Sequence, residues 1–171
     1  MLGGFFTLLG IMTGHALMET ARDALFLASI SPSRLPWVYL GVAVIALGVT
    51  LLQGRLSIDN KRMLVATLLA SAGVTLGFWI VIGRWGTWTL FAFYVWSGVF
   101  STLVVIRFWT LASEVFDRER DAKRLFSIIG AGSVTGAIAG TALARFIAGV
   151  SEAQTMLLVA AVTFGVCGGV V

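Results

Sequence analysis

Charged residues are scarce in this chain, and their scarcity decides the class of protein. Asp, Glu, Lys and Arg together make up 12% of the 171 residues, whereas hydrophobic residues make up 58% and the mean hydropathy is +0.98. A soluble domain carries about 25% charged residues. A composition this apolar cannot cover a water-facing surface, and it predicts an integral membrane protein.

Cysteine and histidine are rarer still, with one of each. Cys167 can form no disulfide within the chain, and no cluster of metal-ligating residues stands out. Because no paired His-Glu motif, nucleophile motif, phosphate-binding GxxxxGKS/T loop or CxxC stretch occurs, neither an enzyme nor an ATP-driven pump has support. We therefore expect no catalytic residues, no metal and no cofactor. The net charge of +4 does not indicate nucleic-acid binding, because the few basic residues lie mainly between apolar runs.

Six apolar runs are each long enough to cross a bilayer, whose hydrocarbon core of roughly 30 Å needs about 20 residues of helix. Short polar breaks separate the runs, and the ten-residue alternation typical of a β-barrel is absent. The sequence therefore predicts an all-α transmembrane bundle of six helices. The expected helices are about 3–30, 36–53, 63–83, 86–112, 125–148 and 153–171.

The positive charges predict the orientation of this bundle. Seven Lys or Arg residues fall in the loops after the second and fourth runs, against three on the opposite side. Since cytoplasmic loops carry the excess of Lys and Arg, we expect those loops and both termini to face the cytoplasm. The sixth run is still apolar at Val171. We therefore expect the chain to be the N-terminal part of a longer protein.

The first run contains four ionisable residues, His15, Glu19, Arg22 and Asp23. Their spacings of three and four residues place all of them along one side of a helix. A charge at the bilayer centre costs about 2.5–3.5 kcal/mol even on the lenient insertion scale, so this side should face the bundle interior. It then forms either the polar wall of a solute pathway or a buried ion-pair network that joins helices. His15 is either a proton site or a hydrogen-bonded structural histidine.

A second group of charges begins near the end of the fourth run. Arg107 either contacts solute or extends to the membrane interface, with Trp109 beside it as an interface anchor. Residues 114–124 interleave both signs, as on a solvated cytoplasmic face. Alternatively, Glu114, Lys123 and Arg124 form a gate salt bridge.

Small residues mark one face of the fifth helix. Gly132, Gly136 and Gly140 recur at every fourth position. Such spacing lets two membrane helices approach closely, so it predicts tight helix packing. Tight contacts of this kind also suit the rocking motions of transporters.

Two stretches resemble one known family. ETARDALFL at 19–27 is similar to a motif of the Lys-Asp-Thr-Leu type, with Arg22 in the Lys position, and LPW follows at 35–37. The segment 108–141 is similar to one in which a Phe-Trp pair precedes an Ala-Lys-Arg-Phe type stretch and a glycine-rich helix. Its matching residues are Phe108, Trp109, Ala122, Lys123, Arg124, Phe126, Gly130 and Gly132. Both stretches resemble the nucleotide exchange transporters, the ATP/ADP translocase family of plastids and intracellular bacteria.

This resemblance implies a major-facilitator-like fold of two six-helix halves in a bacterial inner membrane, with this chain as the first half. It also implies exchange of a nucleotide by alternating access. Gly98 stands where the family carries an acidic residue, which favours a relative that moves a different small anionic solute.

The guanidinium groups of Arg22 and Arg107 suit a phosphate or carboxylate ligand. We therefore expect Arg22 to be the main substrate contact, with Asp23, Glu19, His15 and Arg107 as further candidates. The alternative is a protein that does not transport, in which six helices anchor a soluble regulatory domain outside this chain.

Overall fold

The computed structural model describes residues 2–53, 59–82, 84, 86–116 and 122–171. This part of the chain is all-helical and contains no strand. A short 3₁₀ turn, Pro32–Arg34, joins the first two α-helices. The α-helices are α1 Leu2–Ser29, α2 Leu35–Gln53, α3 Asn60–Val81, α4 Thr87–Phe116, α5 Ala122–Val150 and α6 Ala153–Val170.

Several helix ends differ from the expected ones. α3 begins at Asn60 rather than at 63, because the Asp59 carboxylate accepts a hydrogen bond of 3.1 Å from the backbone N–H of Arg62 and caps the first turn. α4 follows Gly86, whose φ of +74° is a conformation that glycine adopts without strain. The same helix continues to Phe116, so the charged stretch after the fourth run is partly helical.

Five helical segments of the described chain are long and apolar enough to cross a membrane. α1 is outside that set, although it spans 28 residues. α2 and α5 expose large apolar side chains such as Leu40, Val44, Ile138 and Phe146. Apolar patches of this extent are unusual on a soluble monomer, and acyl chains would cover them without penalty. The length and exposed apolar surface of these helices therefore indicate a multi-pass membrane protein.

The set of helix–helix contacts has an internal symmetry that relates the first three helices to the last three. α1 packs against α4, α5 and α6, and α4 packs against α1, α2 and α3, while α3 and α6 contact each other. Exchanging α1 with α4, α2 with α5 and α3 with α6 converts each of these contacts into another of the set or into itself. A smaller contact between α5 and α6 falls outside this pattern. The two consecutive helix triplets thus have corresponding neighbours, although α1 packs more extensively on α5 and α6 than α4 does on α2 and α3.

Glycines on α5 bring its backbone against that of α1. A Cβ atom built at Gly136 would collide with the carbonyl oxygen of Leu9, and one built at Gly132 would lie 2.6 Å from that of Phe5. Real Cβ atoms do not approach backbone oxygens this closely. No residue other than glycine therefore fits at these two positions without separating the helices.

The third glycine of this face continues the contact toward the polar part of α1. A Cβ built at Gly140 would lie 2.7 Å from the carbonyl oxygen of Thr13. The Thr13 hydroxyl also lies 3.1 Å from the carbonyl oxygen of Gly136, within hydrogen-bond distance. Because contacts on both helices advance in the same chain direction, α1 and α5 run parallel.

Replacing Gly136 with alanine should lower the thermal stability of the protein in detergent micelles. The new methyl group would meet the Leu9 backbone, which cannot move aside as a flexible side chain could. Overpacking of this kind costs about 1–3 kcal/mol. Unfolding followed by tryptophan fluorescence measures the effect.

Gly130→Ala is the matched control on the same helix, since a Cβ there meets nothing within 4 Å. Alanine stabilises a helix interior by about 0.8–1 kcal/mol relative to glycine, so this variant should be neutral or stabilised. Equal changes in unfolding temperature for the two variants would contradict the close contact between α1 and α5.

Candidate functional site

The guanidinium of Arg22 is buried where α1 packs against α4, and only 7% of the residue is exposed. Its Nε donates a hydrogen bond of 2.9 Å to Oδ1 of Asp23, and its Nη1 lies 3.6 Å from Oε1 of Glu19. The helical spacing of three residues accounts for the second ion pair, and the neighbouring residue supplies the first. Two carboxylates therefore offset the charge that burial would otherwise make costly.

α4 supplies the other wall of this site. The guanidinium carbon of Arg22 lies 4.2 Å from the centre of the Tyr94 ring, in cation–π geometry, and Nη1 lies 3.5 Å from the hydroxyl of the buried Ser97. The Tyr94 hydroxyl in turn donates a hydrogen bond of 2.9 Å to that of Tyr39 on α2. The two tyrosines of the chain are thus bonded to each other, and they link three helices at the guanidinium.

His15 extends the site by one helical turn. Its Nε2 lies 3.6 Å from Oε2 of Glu19, and its Nδ1 lies 3.2 Å from the hydroxyl of Ser101 on α4. The Ser101 hydroxyl donates a hydrogen bond of 2.7 Å to the backbone carbonyl of Ser97. We call these linked residues the α1–α4 polar cluster: His15, Glu19, Arg22, Asp23, Tyr94, Ser97 and Ser101.

In the α1–α4 polar cluster the positive charge is buried, whereas the negative charges are partly exposed. The side chains of Glu19 and Asp23 are 42% and 48% exposed, whereas that of Arg22 is 8% exposed. With His15 neutral, the cluster has two negative charges and one positive charge. A solute that approaches from the side on which Glu19 and Asp23 are exposed, which we call the open face, therefore meets carboxylates before it meets the guanidinium.

Arg107 lies in a separate group of polar residues. Its Nη1 donates a hydrogen bond of 3.2 Å to the side-chain oxygen of Asn60, and the Asn60 amide donates one to Oε1 of Glu114. Arg107 follows Ser97 by ten residues on α4, which is about 15 Å along a helix axis. The structure therefore does not bring Arg107 to Arg22, and it joins Arg107 to Glu114 across the α3–α4 contact instead.

The remaining gate candidates are described only in part. Arg124 is exposed near the start of α5. The side chain of Lys123 and residues 117–121 lie outside the described part of the chain. A salt bridge of Glu114 with Lys123 or Arg124 stays a prediction.

Sequence reasoning missed several residues of these two groups. Tyr94, Ser97 and Ser101 follow one another at spacings of three and four, so they share one face of α4 inside an apolar run. That spacing is a usable signal, since polar residues inside membrane helices usually bond across helices. Tyr39 carries no comparable signal, because it lies alone near the start of α2, and Asn60 carries none because it is one of several polar residues at the start of α3.

No metal centre accompanies these groups in the described part of the chain. Within it, no set of three or more His, Cys, Asp or Glu side chains could hold a metal ion. The α1–α4 polar cluster can instead form ion pairs and hydrogen bonds, which suits reversible binding of a charged solute or a proton.

The hydrogen bond between the two tyrosines should contribute to stability, and a double-mutant cycle measures its share. Tyr94→Phe keeps the ring against Arg22 but removes this bond, and Tyr39→Phe removes the same bond from the other side. Each single variant should lose about 0.5–1.5 kcal/mol of unfolding free energy. The double variant should lose little more than either single one.

Tyr94→Leu distinguishes the ring from its hydroxyl. Loss of the aromatic face should add about 0.5–2 kcal/mol to the effect of Tyr94→Phe, since a desolvated cation–π contact has this magnitude. Denaturant titration in micelles measures all four variants. Strictly additive losses in the double variant would show that the two hydroxyls do not interact.

Comparison with known proteins identified no relative of this chain. No family model, no curated protein and no solved structure matches the chain. The resemblance to nucleotide exchange transporters therefore stays a hypothesis drawn from the residues quoted above. Any function has to be inferred from the helix packing and from the α1–α4 polar cluster.

Proposed function

We propose that the chain forms half of a secondary transporter of the nucleotide exchange type. It moves a nucleotide or another anionic metabolite across a bacterial inner membrane by alternating access, without covalent chemistry. The observation that carries this proposal is the buried guanidinium of Arg22, held between two helices beside partly exposed carboxylates. Ionisable groups inside a membrane bundle mark solute or ion pathways more often than structural joints.

The depth of Arg22 supports a binding site rather than an interfacial anchor. Arg22 precedes the end of α1 at Ser29 by seven residues, which is about 10 Å of helix. Ser97, its partner on α4, follows the start of that helix by ten residues, or about 15 Å. Both depths lie inside a hydrocarbon core of roughly 30 Å, where an arginine needs a specific reason to be present.

The packing pattern supports a major-facilitator-like half. Transporters of that class contain three-helix repeats of inverted topology, and substrate binds near the bilayer midplane at the repeat interface. The exchange of α1–α3 with α4–α6 that preserves the helix contacts fits such repeats. The α1–α4 polar cluster lies where the first helices of the two triplets meet, and a second six-helix unit would enclose its open face.

The chemistry of Arg22 supports an anionic solute. A guanidinium presents a planar set of N–H donors that matches phosphate or carboxylate oxygens, and such charge-assisted bonds are strong. Asp23 and Glu19 occupy some of these donors in the unliganded site. In this proposal the solute displaces a carboxylate from Arg22, with His15 at the edge of the site.

The group formed by Arg107, Asn60 and Glu114 has a different role in this proposal. It joins α3 to α4 well away from Arg22, on the side that the distribution of Lys and Arg assigns to the cytoplasm. Arg107 and Glu114 then act as part of a cytoplasmic gate, together with Lys123 and Arg124. Opening toward the cytoplasm would separate these residues.

Uptake into proteoliposomes tests the proposed function. Vesicles containing the protein should accumulate labelled ATP or a labelled phosphate ester, and Arg22→Ala should lower the uptake. Removing one partner of a buried charge pair costs about 2–5 kcal/mol of binding, so uptake at low solute concentration should fall by about thirtyfold or more. Arg22→Lys should retain part of the activity.

Arg145→Ala is the matched control, because it removes an exposed arginine from α5 and leaves the α1–α4 polar cluster intact. Circular dichroism and size-exclusion profiles establish that each variant is folded before uptake is compared. Wild-type uptake by a folded Arg22→Ala protein would refute the role of Arg22. Absence of uptake by the wild-type protein would count against transport of these solutes.

A further inference from the structure

We infer that His15 and Glu19 share one proton, and that this proton crosses the membrane with the anionic solute. The second half of this inference rests on the proposed function, whereas the shared proton does not. The pair is formed by Nε2 of His15 and Oε2 of Glu19 at 3.6 Å.

The hydrogen bonds of Ser101 fix which ring nitrogen of His15 carries hydrogen. A serine hydroxyl has one hydrogen to donate, and that of Ser101 is donated to the carbonyl oxygen of Ser97 at 2.7 Å. With its hydrogen donated to that carbonyl oxygen, Ser101 acts as the acceptor in its contact of 3.2 Å with Nδ1. This accounting places a hydrogen on Nδ1.

A neutral imidazole with hydrogen on Nδ1 has a bare lone pair on Nε2. Nε2 lies 3.6 Å from an oxygen of the Glu19 carboxylate, which in its ionised form has only lone pairs to offer. Two acceptors this close together, one of them on a His15 side chain that is only 15% exposed, are unfavourable, and one added proton removes the conflict. The proton lies on Glu19 as a carboxylic acid or on His15 as an imidazolium.

The charge of the site links this proton to the solute. With the pair unprotonated, the α1–α4 polar cluster has a net charge of −1, and a bound anion makes it more negative still. Charge that is not offset is costly in the bilayer interior. Protonation of the pair also loosens the hold of Glu19 on Arg22, so solute and proton should each favour the binding of the other.

The charged and titratable groups of the neighbouring helices do not offer another partner for this pair. On α1 itself, Arg22 and Asp23 continue the cluster. On α4, Tyr94 lies under the Arg22 guanidinium and Arg107 bonds to Asn60. The remaining helices that pack on α1 are α5, whose described cations Arg124 and Arg145 are exposed, and α6, which has the buried Cys167 and no charged residue.

Nitrogen NMR tests the shared proton directly, because the chain has a single histidine. The protein is labelled with ¹⁵N-histidine and placed in lipid nanodiscs at pH 7. We expect hydrogen on Nδ1, and an exchangeable proton between Nε2 and the carboxyl group that is lost in Glu19→Gln. A neutral ring with hydrogen on Nε2 alone would overturn the inference, since that ring could donate to an ionised Glu19 without any added proton.

A vesicle assay tests the coupling. Proteoliposomes that contain the pH dye pyranine should acidify inside when ATP is added outside and taken up. Glu19→Gln should reduce this acidification by at least about tenfold, within the range of coupling between linked sites. Exchange of internal for external ATP requires no net movement of protons, so the wild-type protein should perform that exchange without acidification.

Glu152→Gln is the matched control, because Glu152 is an exposed carboxylate at the start of α6 outside the cluster. This variant should acidify like the wild-type protein. Uptake of ATP without acidification would overturn the coupling and leave the proposed function standing. A shared proton seen by NMR in a protein that takes up no solute would overturn the proposed function and leave the proton site standing.

Discussion

A guanidinium inside a membrane bundle must be offset and hydrogen-bonded by the protein itself, and this constraint organises α1, α2 and α4. Arg22 meets it with two carboxylates from its own helix and with an aromatic face and a hydroxyl from α4. The acidic residues are local in sequence, so they would accompany Arg22 in any arrangement of the bundle. The contacts from α4 are what tie the charge to one arrangement.

The same constraint explains why the site is polarised. The cation is buried, and the anions that offset it are partly exposed on the open face. Complete burial of all three groups would add the desolvation of two carboxylates to that of the arginine. A partly exposed cluster therefore costs less free energy than a fully buried one.

Much of the helical plan could be predicted from the sequence, because apolar runs of membrane length are a strong signal. The pairing of Arg22 with Glu19 followed from helical spacing alone. Tyr39 could not be predicted, since its partner is 55 residues away and the contact depends on how α2 lies against α4. The separation of Arg107 from Arg22 could not be predicted either. The two residues lie on different helices, and their distance depends on how α1 and α4 are aligned along their axes.

The glycine contact between α1 and α5 has a consequence for the far end of α1. With carbonyl groups of Phe5, Leu9 and Thr13 set directly against α5, the helix cannot turn about its long axis without a steric collision. These uncharged residues, about two and a half to five helical turns from Arg22, thereby fix the direction in which the Arg22 side chain leaves the helix. The direction in which this charge points is therefore set by the packing of α1 against α5, and not only by the groups that surround the guanidinium.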